Sequence, residues 1–414
     1  MSKNKTENAV IKYLILSHLS KKLLRCEKVR KLKWCFPDAG KKDWVMKLMK
    51  SIYGMKQASR VWNHTFDKVV KAWGFKRLPS EWCIYRWQSP TGTIIFAVHV
   101  DNIISASSSP RENELFKSLL KEKWDISDLG PVKFALGITV SHNLETSTIS
   151  ISQTALIDHI VNQFNQTNTH TPDVSMSPRS QLRRPDKRIP TLPEVAAWSE
   201  HTPYRSLVRS LMYIAVGSCP DITYMVGHLA SFLDCYHPDH WSAAIQVLRY
   251  LKGTRTLTLK LGRPDTHHLI GYTDSDYANC PDTSHSIGGY CFSLGSSVIS
   301  WSSYKQHTVT DSLCYAEYIA LHEASHEVVF LRELLSGVGL LPSHPTPIHC
   351  DNDTASILSE DHIWHPQVKH IWVKYHHVRE LVTDGEIKAV HVCSADNVAD
   401  ILTKPLTRPD FLHL

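Results

Sequence analysis

From residue 268 onward, the apolar residues change their spacing in a regular order, and this order restricts the fold more than any other feature of the chain. Strand-like runs come first, a long helical run follows, and short strands then alternate with helices. The predicted strands are 268–273, 288–294, 298–302, 347–350 and 386–392, and the predicted helices are 312–336, 352–359, 366–383 and 395–403. This order predicts a mixed five-stranded sheet with helices on its faces.

Four acidic residues stand at or near the ends of these elements. They are Asp274 after the first strand, Glu317 in the first turns of the long helix, Asp351 after the fourth strand and Asp400 on the last helix. Side chains at strand ends of an open α/β sheet gather at one edge, and carboxylates gathered there repel one another unless cations share them. The pattern predicts a site for two Mg²⁺ ions, which can stabilise both oxygens of a phosphodiester displacement.

Each acid taken alone also has a purely structural interpretation. Asp274 and Asp276 can form a turn after a strand. Glu317 can be a favourable charge near a helix N-terminus, and Asp351 can be an N-cap. For any single residue the structural interpretation is the stronger one, whereas the order and spacing of all four favour a metal site.

The sequence around these acids resembles one known family. The resemblance rests on GYTDSDYANCPDTSHSIGGYCFSLGSSVISWSS and on the phrases AEYIAL, CDNDTA, KHIWVKYHHVRE and ADILTKPL. All are similar to the ribonuclease H domain of copia-type LTR-retrotransposon Pol polyproteins, and the similarity covers about 204–414. It implies that two Mg²⁺ (or Mn²⁺) ions are held by Asp274, Glu317, Asp351 and Asp400. The implied reaction is hydrolysis of the RNA strand of an RNA–DNA hybrid by a metal-activated water.

His370, in the phrase KHI, also matches a histidine of that family. The resemblance implies a role at the catalytic edge or in contact with substrate. Its place on a predicted helix slightly favours the alternative, a surface histidine packed against a neighbour. Trp372 stands where the family usually has Asp, so the local surface differs from the family pattern.

A second phrase, KLMKSIYGMKQASRVWN at residues 47–63, resembles the reverse transcriptase of the same family. The resemblance implies that Gln57 lies near the incoming nucleotide and template, and that Lys56 lies near a phosphate. Either side chain could instead belong to a polar turn before a helix. The periodicity that follows predicts helices at 58–74, 110–123 and 153–165, and strands at 82–88 and 93–100.

The segment AVHVDNIISA at residues 97–106 predicts a hairpin with a two-residue Asp101–Asn102 turn. The family pattern there is Tyr-Val-Asp-Asp, and a neutral amide such as that of Asn102 is a poorer metal ligand than a carboxylate. Nothing in residues 1–45 resembles the family's first catalytic aspartate motif. With Asp101 as the one evident acidic ligand, we expect no nucleotide polymerisation by this chain alone.

Between the reverse-transcriptase-like and ribonuclease H-like regions, the residue pattern of the chain changes twice. Six prolines and several basic residues mark 171–203 as a linker or extended segment. Residues 204–262 are interpreted as a helical thumb or connection segment, with Trp241, Ala244, Leu248 and Leu251 on one buried face and a stop at Gly253. Off that face lie two candidate nucleic-acid contacts, Arg249 and Lys252.

The predicted fold class is therefore mixed. A basic N-terminal segment (1–45) precedes a truncated reverse-transcriptase palm (46–170), the linker (171–203), the helical connection (204–262) and an α/β ribonuclease H-like domain (263–408). Residues 1–50 contain 14 Lys/Arg and 4 Asp/Glu, a local balance of +10 against +6 for the whole chain. Such a segment can hold a nucleic acid by counterion release or remain a solvated tail.

Composition excludes some other classes. No apolar run approaches the ~18 residues of a membrane span, and the lysine-rich N-terminus lacks the apolar stretch of a secretory signal. The ten cysteines include no C-x-x-C pair, which predicts a reduced intracellular protein, cytoplasmic or nuclear, without a zinc knuckle. None of the 25 histidines is assigned as a metal ligand.

Two further interpretations remain open at this point. One is a decayed or domesticated transposon remnant that binds nucleic acid without cleaving it. The other is an active reverse transcriptase completed by a missing portion of Pol or by a dimer partner. Cleavage of an RNA–DNA hybrid and extension of a primer on an RNA template separate the three.

Overall fold

The computed structural model describes residues 7–13, 24–27, 45–48, 55–177, 182–185, 193–262, 268–340, 342–353 and 372–414. The chain forms two compact units, Met1–Val132 and Lys133–Leu414. In the described helices, none is both long enough and apolar enough to cross a bilayer.

The first unit is built on an antiparallel sheet. Its elements are β1 (Glu7–Tyr13), β2 (Leu24–Glu27), β3 (Val45–Leu48), α1 (Ala58–Ala72), β4 (Lys76–Arg77), β5 (Ile84–Ser89), β6 (Gly92–His99), β7 (Asn102–Ser107), α2 (Pro110–Lys123) and β8 (Ile126–Pro131). Six strands pair in the order β4-β5-β6-β7-β1-β8, and β2 pairs with β3 separately. The helices predicted at 58–74 and 110–123 are confirmed as α1 and α2.

Aromatic packing between the sheet and its two helices forms the core of this unit. Phe66 of α1, Phe96 of β6 and Phe116 of α2 are each 1% exposed. The Phe96 and Phe116 rings stack with centroids 4.8 Å apart. The backbone N–H of Glu112 donates to the Ser109 side chain and so caps the start of α2. Val61 of α1 is 44% exposed and lies outside this core.

The second unit contains more elements. They are β9 (Phe134–Ala135), β10 (Ile138–Asn143), β11 (Thr148–Ser152), α3 (Thr154–Gln163), α4 (Pro193–His201), α5 (Tyr204–Gly217), α6 (Thr223–Ala230), α7 (Pro238–Thr254), β12 (Leu259–Leu261), β13 (Leu269–Asp276), β14 (Ile287–Leu294), β15 (Ser297–Lys305), α8 (Leu313–Val338), β16 (Thr346–Cys350), α9 (Trp372–Thr383), β17 (Ile387–His391) and α10 (Arg408–His413). Short 3₁₀ turns lie at Pro220–Ile222, Ser394–Asp396 and Val398–Leu402 in the described residues.

A helical layer of this unit is held together by the apolar faces of α3, α5, α6 and α7. Ala244, Leu248 and Leu251 of α7 are buried as predicted. Two expectations for this region were wrong. Gly253 does not stop α7, which continues to Thr254, and the segment expected to lack regular structure contains α4, which opens at Pro193. Proline is favourable at the first helical position because its missing N–H has no helical partner there.

The predicted mixed five-stranded sheet is confirmed. Its strand order is β15-β14-β13-β16-β17, with β13, β14 and β15 antiparallel and β16 and β17 parallel to β13. The helix α8 packs against β13 and β14, and α9 packs against α8. Gly339, at φ 88°, ends α8 in the left-handed conformation that a glycine adopts without steric cost. The helix predicted at 352–359 lies almost wholly outside the described residues.

Candidate metal centre

Three of the four predicted acids converge in the second unit. One carboxylate oxygen from each of Asp274, Asp351 and Asp400 lies within 4.8 Å of one oxygen from each of the others. Asp274 and Asp400 are buried, and Asp351 is half-buried. Oxygens at this spacing can bind one divalent cation jointly or bridge two cations.

The strand register explains why Asp274 and Asp351 meet. Tyr272 of β13 pairs with His349 of the parallel neighbour β16, and each acid lies two residues beyond that pair. Residues two apart in a strand point to the same face. One detail of the prediction was wrong. β13 continues to Asp276, so Asp274 lies inside the strand rather than after it.

Asp400 reaches the site from a 3₁₀ turn, not from the α-helix that the sequence predicted. Asn397, fully buried, fixes that turn. Its side-chain amide donates to the carbonyl of Thr273 on β13 (3.1 Å), and its carbonyl oxygen accepts from the backbone N–H of Ala399 (3.2 Å). The Thr403 hydroxyl donates to Asp274. Side-chain hydrogen bonds therefore tie this turn to the strand that carries Asp274.

Glu317 lies on α8 beside these three acids but outside their 4.8 Å group. It is 3% exposed, and its Oε2 has no hydrogen-bond partner among the described residues. Gln306 holds the start of α8 against the sheet, since its side-chain amide donates to the Ala316 carbonyl (2.8 Å) and to the Ser275 hydroxyl (3.2 Å). The fourth predicted acid is therefore buried at the same edge.

Burial and mutual repulsion make these acids hold protons more tightly than usual. Burial, with the charges of Asp274 and Asp351, raises the pKa of Glu317 well above its ordinary value. The same two causes, with Asp274 as the main neighbour, raise the pKa of Asp400 to about 7. Burial and the Asp351 charge raise the pKa of Asp274. Such a set is most stable when positive charge is shared among its members.

The residues fit divalent cations. The ligand atoms are all carboxylate oxygens, which Mg²⁺ and Mn²⁺ prefer. The buried Oδ1 of Asp400, like Oε2 of Glu317, finds no hydrogen-bond donor within the described ranges. A buried acceptor without a donor is costly, and coordination of a cation removes that cost.

Sequence reasoning missed one positively charged side chain at the site, that of Lys404. The Lys404 ammonium lies 2.9 Å from Oδ2 of Asp400 and 3.8 Å from Oδ2 of Asp274. The four-residue spacing of Asp400 and Lys404 in ADILTKPL was a usable signal, because residues four apart in a helical turn share a face. Ser394, also missed, donates its hydroxyl to Asp351 (2.7 Å).

The remaining predicted site residues of this unit are His370, Arg249 and Lys252. His370 lies outside the described residues. Arg249 donates from Nε to the Gln166 side chain (2.8 Å), and Lys252 donates from Nζ to the Thr169 carbonyl (2.6 Å). Both basic side chains thus hold the segment after α3 against α7. Their role as nucleic-acid contacts stays a prediction.

In the first unit, the β6–β7 hairpin carries Asp101 at its tip, but the turn lies one residue earlier than predicted. Val100 and Asp101 form it, and His99 pairs with Asn102. Val100 adopts φ 57°, and its carbonyl accepts a hydrogen bond from the Trp62 indole (3.2 Å). That contact with α1 holds the tip in a conformation that a β-branched residue rarely adopts.

In the described part of the chain, Asp101 belongs to no group of three or more metal-ligating side chains. β1 lies beside β7, and its one acidic residue, Glu7, pairs with Ser107. That position is five residues from Asn102, or ~17 Å along the strand. Lys56 and Gln57 are exposed just before α1.

Comparisons with known proteins agree with the two motifs. Residues 33–178 match the family described as reverse transcriptase (RNA-dependent DNA polymerase). The chain is 35% identical over 91% of its length to the retrovirus-related Pol polyprotein from transposon TNT 1-94 of Nicotiana tabacum, and it spans 28% of that relative. It is 31% identical over 69% of its length to the putative transposon Ty5-1 protein YCL074W of Saccharomyces cerevisiae, and it covers 90% of that protein.

Among solved structures, LC11-RNase H1, isolated from compost, aligns with 33% of this chain and 94% of its own, at 20% identity and a TM-score of 0.27. The sequence relatives identify the family, and the strand order of the five-stranded sheet identifies the fold. The chain belongs to the copia-type retrotransposon Pol family, of which it carries the reverse-transcriptase-like and ribonuclease H-like part.

Proposed function

We propose that the second unit hydrolyses the RNA strand of RNA–DNA hybrids with two Mg²⁺ or Mn²⁺ ions, and that the first unit no longer polymerises DNA. The observation that carries the proposal is the convergence of Asp274, Asp351 and Asp400 within 4.8 Å. The buried Glu317 carboxylate lies beside them. An RNA–DNA hybrid as substrate implies an intracellular location, in the cytoplasm or the nucleus.

In this mechanism Asp274, Asp351, Asp400 and Glu317 would hold the cations. When bound, the cations would supply an activated water and stabilise the charge on the displaced oxygen. Asn397 keeps Asp400 opposite Asp274, and the Thr403 hydroxyl orients the Asp274 carboxylate. The Lys404 ammonium neutralises part of the charge until the acids are loaded. The Asp351 carboxylate is oriented by the Ser394 hydroxyl.

The loss of polymerisation follows from the hairpin tip. Asp101 stands there with Asn102 in place of the family's second aspartate. A neutral amide cannot replace the charge of that carboxylate toward a divalent cation. The absence of a third ligand near Asp101, within the residues described, supports the same conclusion.

The experiment is cleavage of a labelled hybrid by the purified full chain. We expect the RNA strand to be cleaved in Mg²⁺ and to stay intact in EDTA. Asp274→Asn should reduce the rate by at least about 1,000-fold, because electrostatic groups at the reacting centre contribute on this scale. Asp384→Asn, an equal charge change at an exposed residue after α9, should leave the rate unchanged.

The main alternative is a remnant that binds nucleic acid without cleaving it. Asn102, which replaces a ligand at the other centre, is the observation that favours decay. A folded wild-type chain that binds hybrid in a salt-dependent way but leaves its RNA strand intact would establish this alternative and reject the nuclease.

A further inference from the structure

Three histidines form a second cluster in the ribonuclease H-like unit. His322 and His326 are four residues apart on α8, and His377 faces them from α9. One ring nitrogen of each lies within 4.8 Å of one from each of the others. Sequence reasoning assigned none of them. The H-E-x-x-H spacing at 322–326 was a signal that it missed, since two histidines at this spacing share a helix face.

Two of the ring nitrogens lie as close together as two ligands of one ion would. Nε2 of His322 and Nε2 of His326 are 3.2 Å apart, a distance at which one ring also donates a hydrogen bond to the other. Two nitrogens bound tetrahedrally to zinc at 2.0–2.1 Å are separated by about 3.3 Å. The ring centroid of His377 lies 4.5 Å from that of His326 and 5.2 Å from that of His322.

The cluster also has an unused polar atom. His322 is 8% exposed, and Nε2 of His377 is buried without a hydrogen-bond partner in the described part of the chain. A buried ring nitrogen without a partner costs free energy unless another group satisfies it. An ion shared with the other two rings would satisfy this nitrogen.

We propose that His322, His326 and His377 bind one divalent transition metal of the Zn²⁺ class, which clamps α9 to α8. Imidazole ligands select such a metal over Mg²⁺, so this site is chemically distinct from the carboxylate centre. His326 is exposed and leaves the fourth position open to water.

The neighbouring charges indicate a clamp rather than a second hydrolytic centre. Lys374 of α9 forms an ion pair with Glu323 (2.7 Å). The glutamate that serves as general base in proteins with this spacing is thus already paired here. The ion pair and the histidines join the same two helices.

The test is titration of the metal-free full chain with Co²⁺, a spectroscopic substitute for Zn²⁺, in excess Mg²⁺ that occupies the carboxylates. We expect one equivalent to produce the intense visible absorption of four-coordinate cobalt, and Zn²⁺ to displace it stoichiometrically. Absence of that absorption in the folded wild-type chain overturns the site, whatever the nuclease activity of the same sample.

Variants locate the ligands. His326→Gln and His377→Gln should each lower the affinity for Zn²⁺ by at least ~100-fold, the upper end of what loss of a ligand's supporting partner costs. His159→Gln, an exposed histidine on α3, is the matched control and should bind as the wild type does. Because His326 is exposed, its variant should fold normally. Retention of wild-type affinity in either cluster variant overturns the assignment.

Discussion

At the residue scale, Lys404 places a positive charge beside the clustered acids. Its ammonium is 2.9 Å from Asp400 and 3.8 Å from Asp274, and its side chain is 34% exposed. A partly buried charge pair contributes more than an exposed pair but less than a buried one. Lys404 therefore offsets part of the repulsion that the acids experience when no cation is bound.

Lys404→Gln should lower the free energy of unfolding by about 1–2 kcal/mol in EDTA, as expected for a pair of intermediate burial. Excess Mg²⁺ should remove most of this difference, because bound cations replace the lost charge. Urea denaturation under both conditions measures it. Lys388→Gln, at an exposed position on β17, is the control. An equal loss with and without Mg²⁺ would contradict this role.

Asp400 predicts how stability varies with pH. Its pKa is raised from the ordinary value near 3.8 to about 7 in the folded chain. Between these values the folded state holds a proton that the unfolded state has released, so the free energy of unfolding falls as pH rises. Buried histidines have the opposite effect. Burial lowers the pKa of His228 from 6.5 to about 4, so the free energy of unfolding rises with pH between these two values.

A comparison with Asp400→Asn separates these contributions. In EDTA, the wild type should lose more stability than the variant between pH 5 and pH 7, because the variant has no carboxyl at this position to release a proton. Urea denaturation at several pH values within that range provides the measurement. Parallel curves for the two proteins would show that Asp400 titrates normally in the fold.

At the scale of elements, the centre depends on how closely the Val398–Leu402 turn approaches β14. A Cβ added at Gly289 would lie 2.8 Å from Cβ of Leu402 and 2.9 Å from Cγ2 of Thr403. Real Cβ atoms do not tolerate such distances, so a side chain at Gly289 must push the turn away from the sheet. The turn carries Asp400, and its position sets the distance to Asp274.

Gly289→Ala should therefore lower hybrid cleavage by about 100-fold, the effect of a ~1 Å displacement at a reacting centre. Overpacking should cost about 1–3 kcal/mol of stability. The control is Gly227→Ala on α6, where the nearest atom to an added Cβ is 4.0 Å away. That change should be neutral or stabilising, since alanine favours helix over glycine. Wild-type cleavage by a folded Gly289→Ala chain would refute the argument.

Sequence periodicity predicted the elements of this unit better than their junctions. The β14–β15 hairpin and α8 follow from local residue patterns, and both appear as expected. The 3₁₀ turn that carries Asp400 does not, because Asn397 fixes it through the carbonyl of Thr273, 124 positions earlier in the chain. The turn at Val100 also depends on a contact distant in sequence, the hydrogen bond that the Trp62 indole donates to its carbonyl.

For the candidate sites, too, the sequence predicted some features and not others. The order of the acids along the chain is enough to indicate a shared metal site, since strand ends have a defined place in a sheet. The position of Lys404 and the approach of His377 to α8 depend on how helices pack, which single-sequence patterns do not encode. The domain boundaries at residues 45, 170, 203 and 262 stay predictions.

At the scale of the whole molecule, two family motifs have changed to different extents. The ribonuclease H-like part keeps four acids, whereas the hairpin in the first unit keeps Asp101 and replaces its neighbour with Asn102.

We expect the full chain to extend no primer on an RNA template. Asn102→Asp should not restore extension, because the new acid would still lack a further ligand. Detectable extension by the wild type, in an assay calibrated with an active reverse transcriptase, would contradict the proposal that the first unit no longer polymerises DNA.

The central claim is that the four acids of the second unit hold paired divalent cations. Its most direct test is titration with Mn²⁺, followed by electron paramagnetic resonance, in the presence of a hybrid whose 2′-O-methyl RNA strand resists cleavage. The background is His326→Gln, which removes the histidine cluster from the count. We predict two bound Mn²⁺ ions per chain, and loss of both sites in the added variant Asp274→Asn. Fewer than two ions, or the same count after Asp274→Asn, would contradict the claim.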